Sequence, residues 1–182
     1  MTPESGRPIL YSSEQIRTRI NELADTIVRD YGQAEFLVVS ILKGSFIFTA
    51  DLIRCLSDRH ALPVLDFMTL SSYGGGTVSC GTPAVHTGLT LPVAGSRVLI
   101  IDDILDTGLT LQAACRLLAG RGAKDVRSCV LLDKPARRAV PVEADYCGFK
   151  IENVFVVGYG LDYNNRFRQL PYLTTLTPPP PL

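Results

Sequence analysis

The stretch Val98-Leu99-Ile100-Ile101-Asp102-Asp103-Ile104-Leu105-Asp106-Thr107-Gly108-Leu109-Thr110 constrains the fold more than any other part of the chain. Four consecutive aliphatic residues predict a strand covered on both faces, the usual state of a central parallel strand. Burying those four side chains contributes roughly 6–12 kcal/mol gross, comparable to the net stability of a whole domain. The aliphatic run stops at two carboxylates, a third follows at Asp106, and the pattern then predicts a helix from Leu109 to Leu118. Acids at the carboxyl end of a buried strand, feeding a helix N-terminus, mark where open α/β sheets bind ligands.

The rest of the chain supplies more elements of the same kind. Ser12 and Gln15 form a candidate capping box, and Ile16, Ile20, Leu23, Ala24 and Ile27 recur at helical spacing up to Tyr31-Gly32. Strands are predicted at Phe36–Ile41, Val64–Leu70, Asp125–Leu132, Ala144–Phe149 and Asn153–Val157, with a helical pattern through Ile53 and Leu56. Alternating strands and helices predict a parallel sheet with right-handed crossovers. The last strands lack helices between them, so both ends of the chain are expected to build a small added element. Between Tyr73 and Pro83 lie four glycines and small polar residues. That segment reads as the mobile tip of a long hairpin whose return strand falls within Ala84–Leu91. One domain is expected over residues 1–182, with poorly ordered tails at about 1–10 and 174–182 and a mobile loop at about 72–84.

Composition excludes several classes of function. Eighteen basic and eighteen acidic residues cancel, so no global field draws the chain to nucleic acid or to a membrane surface. The start, Met1-Thr2-Pro3-Glu4, is read as carrying no signal peptide, and no apolar run has the length of a membrane span. Five singly scattered cysteines fit reduced thiols in a cytoplasm, and with only His60 and His86 no metal-ligand spacing arises.

Three carboxylates within five residues need a partner. A like-charged pair about 4 Å apart costs roughly 4 kcal/mol at an effective dielectric near 20. Solvent, protonation or a cation can relieve that cost, and magnesium suits one or two carboxylates plus substrate oxygens. The Asp106–Thr110 turn offers hydroxyls and amides at a helix start, a place for a phosphate. No Walker A string occurs, which favours a sugar phosphate over a nucleoside triphosphate. Helix capping by Asp106 and Thr107 would explain one acid, not three. Lys43-Gly44 after the first strand either holds an anion or is a solvated lysine at a tight turn. The cationic run Lys134–Arg138, taken alone, reads as a solvated turn.

Taken together, the motifs resemble a known family. Val98–Thr110 resembles the phosphoribosyl-diphosphate (PRPP) motif of type I phosphoribosyltransferases. Leu42-Lys43-Gly44, Ser72-Tyr73-Gly74, Leu132–Arg138, Val156–Tyr163, Arg168 and Leu170-Pro171-Tyr172 narrow the likeness to the hypoxanthine-guanine members, over roughly residues 10 to 172. The resemblance implies an α/β fold with a central, mostly parallel twisted sheet flanked by helices. It also implies a small hood built from the chain ends and a mobile loop-hairpin. The implied activity moves the 5-phosphoribosyl group from PRPP to N9 of hypoxanthine or guanine, giving IMP or GMP and pyrophosphate in purine salvage.

The resemblance also assigns residues. Asp102 and Asp103 would face the ribose hydroxyls and a first Mg2+, partly through water, and Asp106 would be the general acid/base at the purine N7. Thr107, Gly108, Leu109 and Thr110, with Asp106, would hold the 5′-phosphate. Lys43 and Gly44 would lie at the pyrophosphate, after a Leu-Lys peptide often cis in the family, joined there by Arg168. Lys134 would donate to the 6-oxo oxygen, Phe155 would stack on the base and Val156 would meet its edge. Asp162 would border the purine and bind a second Mg2+, and Ser72 and Tyr73 would travel on the mobile loop. Asp102 stands where the family usually has Glu, which shortens its reach. A cytoplasmic homodimer or homotetramer with no nucleic-acid or membrane partner is expected. A PRPP-binding regulator without catalysis and a xanthine-preferring enzyme are the alternatives.

Overall fold

The computed structural model describes residues 8–71 and 84–176. Its main sheet has six strands in the order β4-β3-β2-β5-β6-β7. They are β2 (Phe36–Leu42), β3 (Pro63–Ser71), β4 (Ala84–Thr87), β5 (Arg97–Leu105), β6 (Asp125–Asp133) and β7 (Tyr146–Lys150). All neighbours run parallel except β3 and β4, which form the expected hairpin, so five strands make the parallel core. β1 (Ile9–Tyr11) joins β9 (Leu173–Thr175) and β8 (Val156–Val157) in a separate antiparallel sheet, the hood built from both chain ends.

Three helices cover the main sheet: α1 (Ser13–Tyr31), α2 (Phe46–Ser57) and α3 (Leu109–Gly120). α1 starts on the predicted capping box, with Ser12 Oγ accepting from Gln15 N–H and Gln15 Oε1 accepting from Ser12 N–H. Leu99 and Ile101 of β5 pack in the core beneath α1 and α2, whereas Val98 and Ile100 pack beneath α3. The alternation of strand side chains thus gives each face its own core, and all four aliphatics are fully buried. Tyr31 Oη donates to Val98 O at 3.0 Å, fastening the end of α1 to the start of the central strand.

Three sequence expectations need correcting. β5 does not stop at the acids but continues to Leu105, because its ladder with β6 runs through Asp102↔Val130 and Ile104↔Leu132 to Leu105↔Asp133. β7 belongs to the main sheet rather than to the added element. A short 3-10 turn (Pro135–Arg137) and an extended loop suffice for the parallel crossover from β6, so no α-helix was needed. Residues 9, 10, 174 and 175, assigned to tails, are strand residues because the two ends pair with each other. The edge strand β7 is sealed by α1: Arg19 Nε and Nη2 donate to Gly148 O and Cys147 O at 2.7 and 2.8 Å. Among the described residues Cys55, Cys115, Cys129 and Cys147 are in no disulfide, and burial pushes each thiol above its ordinary pKa.

Candidate active site

Among the described residues, the predicted ones lie at the carboxyl ends of β2, β5 and β6, at the start of β8 and on the loop after it. At the end of β2 the Leu42–Lys43 peptide is cis, as the resemblance implied, and Lys43 is exposed at the turn. A buried hydroxyl cluster supports this turn. Ser40 Oγ lies 2.8 Å from both Ser45 Oγ and Thr49 Oγ1, joining β2 to the first turn of α2. The next residue, Gly44, meets the acids directly. A Cβ there would lie 1.6 Å from Asp103 Oδ2, and one on Gly160, at φ +100°, would lie 2.1 Å from Gly44 O. Three segments distant in sequence therefore touch through two glycines.

Asp102 is buried within β5, and its Oδ1 accepts Asp103 N–H at 3.0 Å, while Asp103 Oδ1 accepts Ile104 N–H at 3.0 Å. Burial pushes the Asp102 carboxyl well above the usual carboxylate range, and the charge of Asp103 beside it pushes the same way. Burial also raises Asp103, opposed by hydrogen bonding and by the Arg168 charge. Such a pair favours a proton or a cation, and carboxylate oxygens are the donors a hard divalent ion takes. Among the described residues no group of three or more Asp, Glu, His or Cys side chains is gathered as a complete metal cage. Ligand oxygens from substrate would have to complete any such site.

Asp106 follows β5. Its Oδ1 is buried without a hydrogen-bond partner among the described residues, and Arg137 Nε stands 3.2 Å away as a charge rather than an aligned donor. Thr107 Oγ1 accepts Leu109 N–H at 3.4 Å, and Gly108 forms the N-cap of α3 with no side-chain cap. Capping by Asp106 is therefore not its role, and the helix start remains suited to an anion. Lys134 is buried at the end of β6, and its N–H donates to Leu105 O at 3.0 Å, so it adjoins the Asp106 turn. Phe155 is 39% exposed and meets the edge of Tyr163 at 5.7 Å, and Val156 lies in β8. Asp162 Oδ1 is paired with Arg168 at 2.6 Å, and Arg168 Nη1 also donates to Gly160 O at 2.7 Å. Ser72 and Tyr73 lie outside the described residues.

Comparison with known proteins places this geometry. The phosphoribosyl transferase domain family matches residues 9–164, most of the chain and every strand but β9. The chain belongs to the phosphoribosyltransferase family. Among its relatives, the hypoxanthine-guanine phosphoribosyltransferase of Staphylococcus epidermidis is 45% identical over 168 residues, covering 92% of each chain. The bifunctional protein TilS/HprT of Listeria innocua is 45% identical over 170 residues, and the chain spans about a quarter (26%) of its length. The solved hypoxanthine phosphoribosyl transferase of Trypanosoma cruzi superposes with a TM-score of 0.90 at 40% identity, covering 97% of this chain and 94% of that one.

Within this phosphoribosyltransferase, sequence reasoning missed residues that hold the site together. Ser40, Ser45 and Thr49 had a visible signal, a serine inside an otherwise apolar strand. Arg138 had none, because it sat in a cationic run that reads as solvated. Its side chain is only 17% exposed and bonds to Leu105 O, Asp106 O and Asp133. No helix among the described residues is long and apolar enough to cross a membrane.

Proposed function

We propose that this phosphoribosyltransferase transfers the 5-phosphoribosyl group from PRPP to N9 of hypoxanthine or guanine, releasing pyrophosphate and forming IMP or GMP. One observation carries the reading beyond the family. Lys134, a buried cation, is tied through its amide to the carbonyl that precedes Asp106, whose buried Oδ1 lacks a hydrogen bond. A cationic side chain and a carboxylate that has only the Arg137 charge beside it, on adjoining strand ends, suit the O6 and N7–H edge of a 6-oxopurine, and 6-aminopurines present a donor where Lys134 needs an acceptor. A PRPP-binding regulator would have no use for this pair. The names borne by the relatives support the same substrates.

In this reading the amides and hydroxyls of Thr107–Thr110 hold the 5′-phosphate at the start of α3. Phe155 stacks on the base, Val156 meets its edge through backbone groups, and Asp106 holds the proton at N7. Displacement of the diphosphate leaves positive charge on the ribose, which the Asp102–Asp103 pair faces. Lys43 and Arg168 take the negative charge that accumulates on the leaving group. Asp102, Asp103 and Asp162 are the residues that would hold Mg2+, which would supply charge neutralisation at the diphosphate. A single cytoplasmic domain acting as a homodimer or homotetramer completes the proposal. Asp106→Asn tests it: IMP formation should fall at least tenfold while PRPP binding, read by calorimetry, is kept. Unchanged turnover would remove Asp106 from the chemistry. Comparing kcat/KM for hypoxanthine, guanine, xanthine and adenine ranks the bases, and a preference for adenine would refute the Lys134 assignment.

A further inference from the structure

We propose that Arg138 is a positioning residue that gauges the gap between Asp106 and Lys134 and thereby sets the discrimination of 6-oxo from 6-amino purines. The proposal rests on the site reading above. Its basis is the place where the β5–β6 ladder ends. The last backbone pair of that ladder is Leu105↔Asp133. The next residue on one strand is Asp106, and the next on the other is Lys134. Both proposed purine contacts are thus one residue past the last paired residues: Lys134 is still held through its amide on Leu105 O, while Asp106 lies beyond the ladder.

The Arg138 guanidinium ties Asp106 to that same strand end. Nη1 donates to Leu105 O at 3.1 Å and to Asp106 O at 2.6 Å, and Nη2 pairs with the Asp133 carboxylate. The same Leu105 carbonyl accepts Lys134 N–H at 3.0 Å. One planar group therefore bridges the ends of two strands, with both Arg138 and Asp133 largely buried at 17% and 13% exposure. The stem of Arg138 packs on the phosphate turn, its Cδ 3.2 Å from where a Cβ on Gly108 would sit. Lysine reproduces the charge and the stem but not the fork, because one ammonium cannot meet three acceptors spread across a planar guanidinium. A purine presents O6 and N7 at a fixed spacing, so a gauge between the two side chains that read them acts on selectivity more than on PRPP.

The test compares wild type, Arg138→Lys, Arg138→Met and Lys134→Gln. Readouts are kcat/KM for hypoxanthine, adenine as alternative substrate and competitive inhibitor, KM for PRPP, and Tm. Arg138→Lys is expected to lower kcat/KM for hypoxanthine about tenfold or more and to narrow the hypoxanthine-to-adenine ratio, with KM for PRPP changed by less than about threefold. Arg138→Met should do the same more strongly. Should the unpaired Asp133 prevent its folding, Arg138→Lys carries the test by itself. A folded Arg138→Lys enzyme with the wild-type ratio overturns the proposal and leaves Arg138 as a neutralising partner for Asp133. Wild type inactive on hypoxanthine, or Lys134→Gln with full discrimination, overturns instead the site reading beneath it.

Discussion

Replacing Gly44 with alanine separates stability from function in this fold. The added Cβ would lie 1.6 Å from Asp103 Oδ2 and 2.5 Å from its Cγ, whereas real Cβ contacts essentially never fall under 3.0 Å. The carboxylate must therefore retreat by about 1.4 Å, from 1.6 Å to at least 3.0 Å. The backbone at Gly44 is not in the left-handed region, so alanine itself brings no torsional penalty there. Asp103 can turn away at the cost of the bond from Ile104 N–H, worth about 1 kcal/mol net, or about 2–4 °C in Tm. The functional cost is larger, since displacing a site group by about 1 Å can lose about 100-fold in rate. Steady-state IMP formation and thermal unfolding, measured on the same preparation, should show a collapse of kcat/KM beside a small shift in Tm. Adding Asp103→Ala removes the clash but also the acceptor of Ile104 N–H, so the double variant should keep the small loss in Tm and remain inactive. Activity within about fivefold of wild type would refute the idea that Asp103 must stand where it does.

Other outcomes follow from the same geometry. In Asp102→Asn the buried charge and its repulsion with Asp103 disappear. Because the native Asp102 carboxyl is raised, the native state binds more protons than the unfolded chain above the ordinary carboxylate range near pH 4. Stability therefore falls as pH rises through that window toward the native value, and the variant should flatten the fall. It should gain about 2–4 °C at pH 8, equivalent to about 1 kcal/mol, while losing activity; a wild-type Tm–pH profile already flat there would contradict the burial argument. Ser12→Ala breaks the capping box and should lower stability by about 1 kcal/mol with kcat/KM unchanged, checked by urea unfolding. Arg168→Ala should raise KM for PRPP about tenfold or more and leave the purine KM nearly unaffected; the reverse pattern would move Arg168 to the base side.

Much of this was legible in the sequence where one residue type has one physical use. Val98–Ile101 announced a strand buried on both faces, and Ser12 with Gln15 announced a helix start. The limit appears at Asp102. An aliphatic run that stops at acids suggests a strand that stops with it, but the ladder is made by backbone groups, and β6 pairs on through Leu105↔Asp133. For the same reason the sequence alone suggests the hood for β7: a missing helix looks like a missing crossover, yet β7 pairs parallel with β6. Arg138 was invisible because its three acceptors, two backbone carbonyls and the Asp133 carboxylate, come together only once β5 and β6 are paired. The contact of Gly44 with Asp103 and Gly160 is likewise a property of three loops meeting, and no local pattern encodes it.

The sealing of β7 by α1 has a consequence for how the chain comes into being. Arg19 and the carbonyl it caps at Gly148 are 129 residues apart, and β1 must find β9 across a still longer span. A chain emerging from the ribosome makes the cover long before the strand it covers. Part of the apolar stripe of α1, and the whole of β1, must wait without their partners until nearly all of the remaining sequence has appeared. Stalled or C-terminally truncated products would expose that stripe, so they should be the species that chaperones retain and proteases remove.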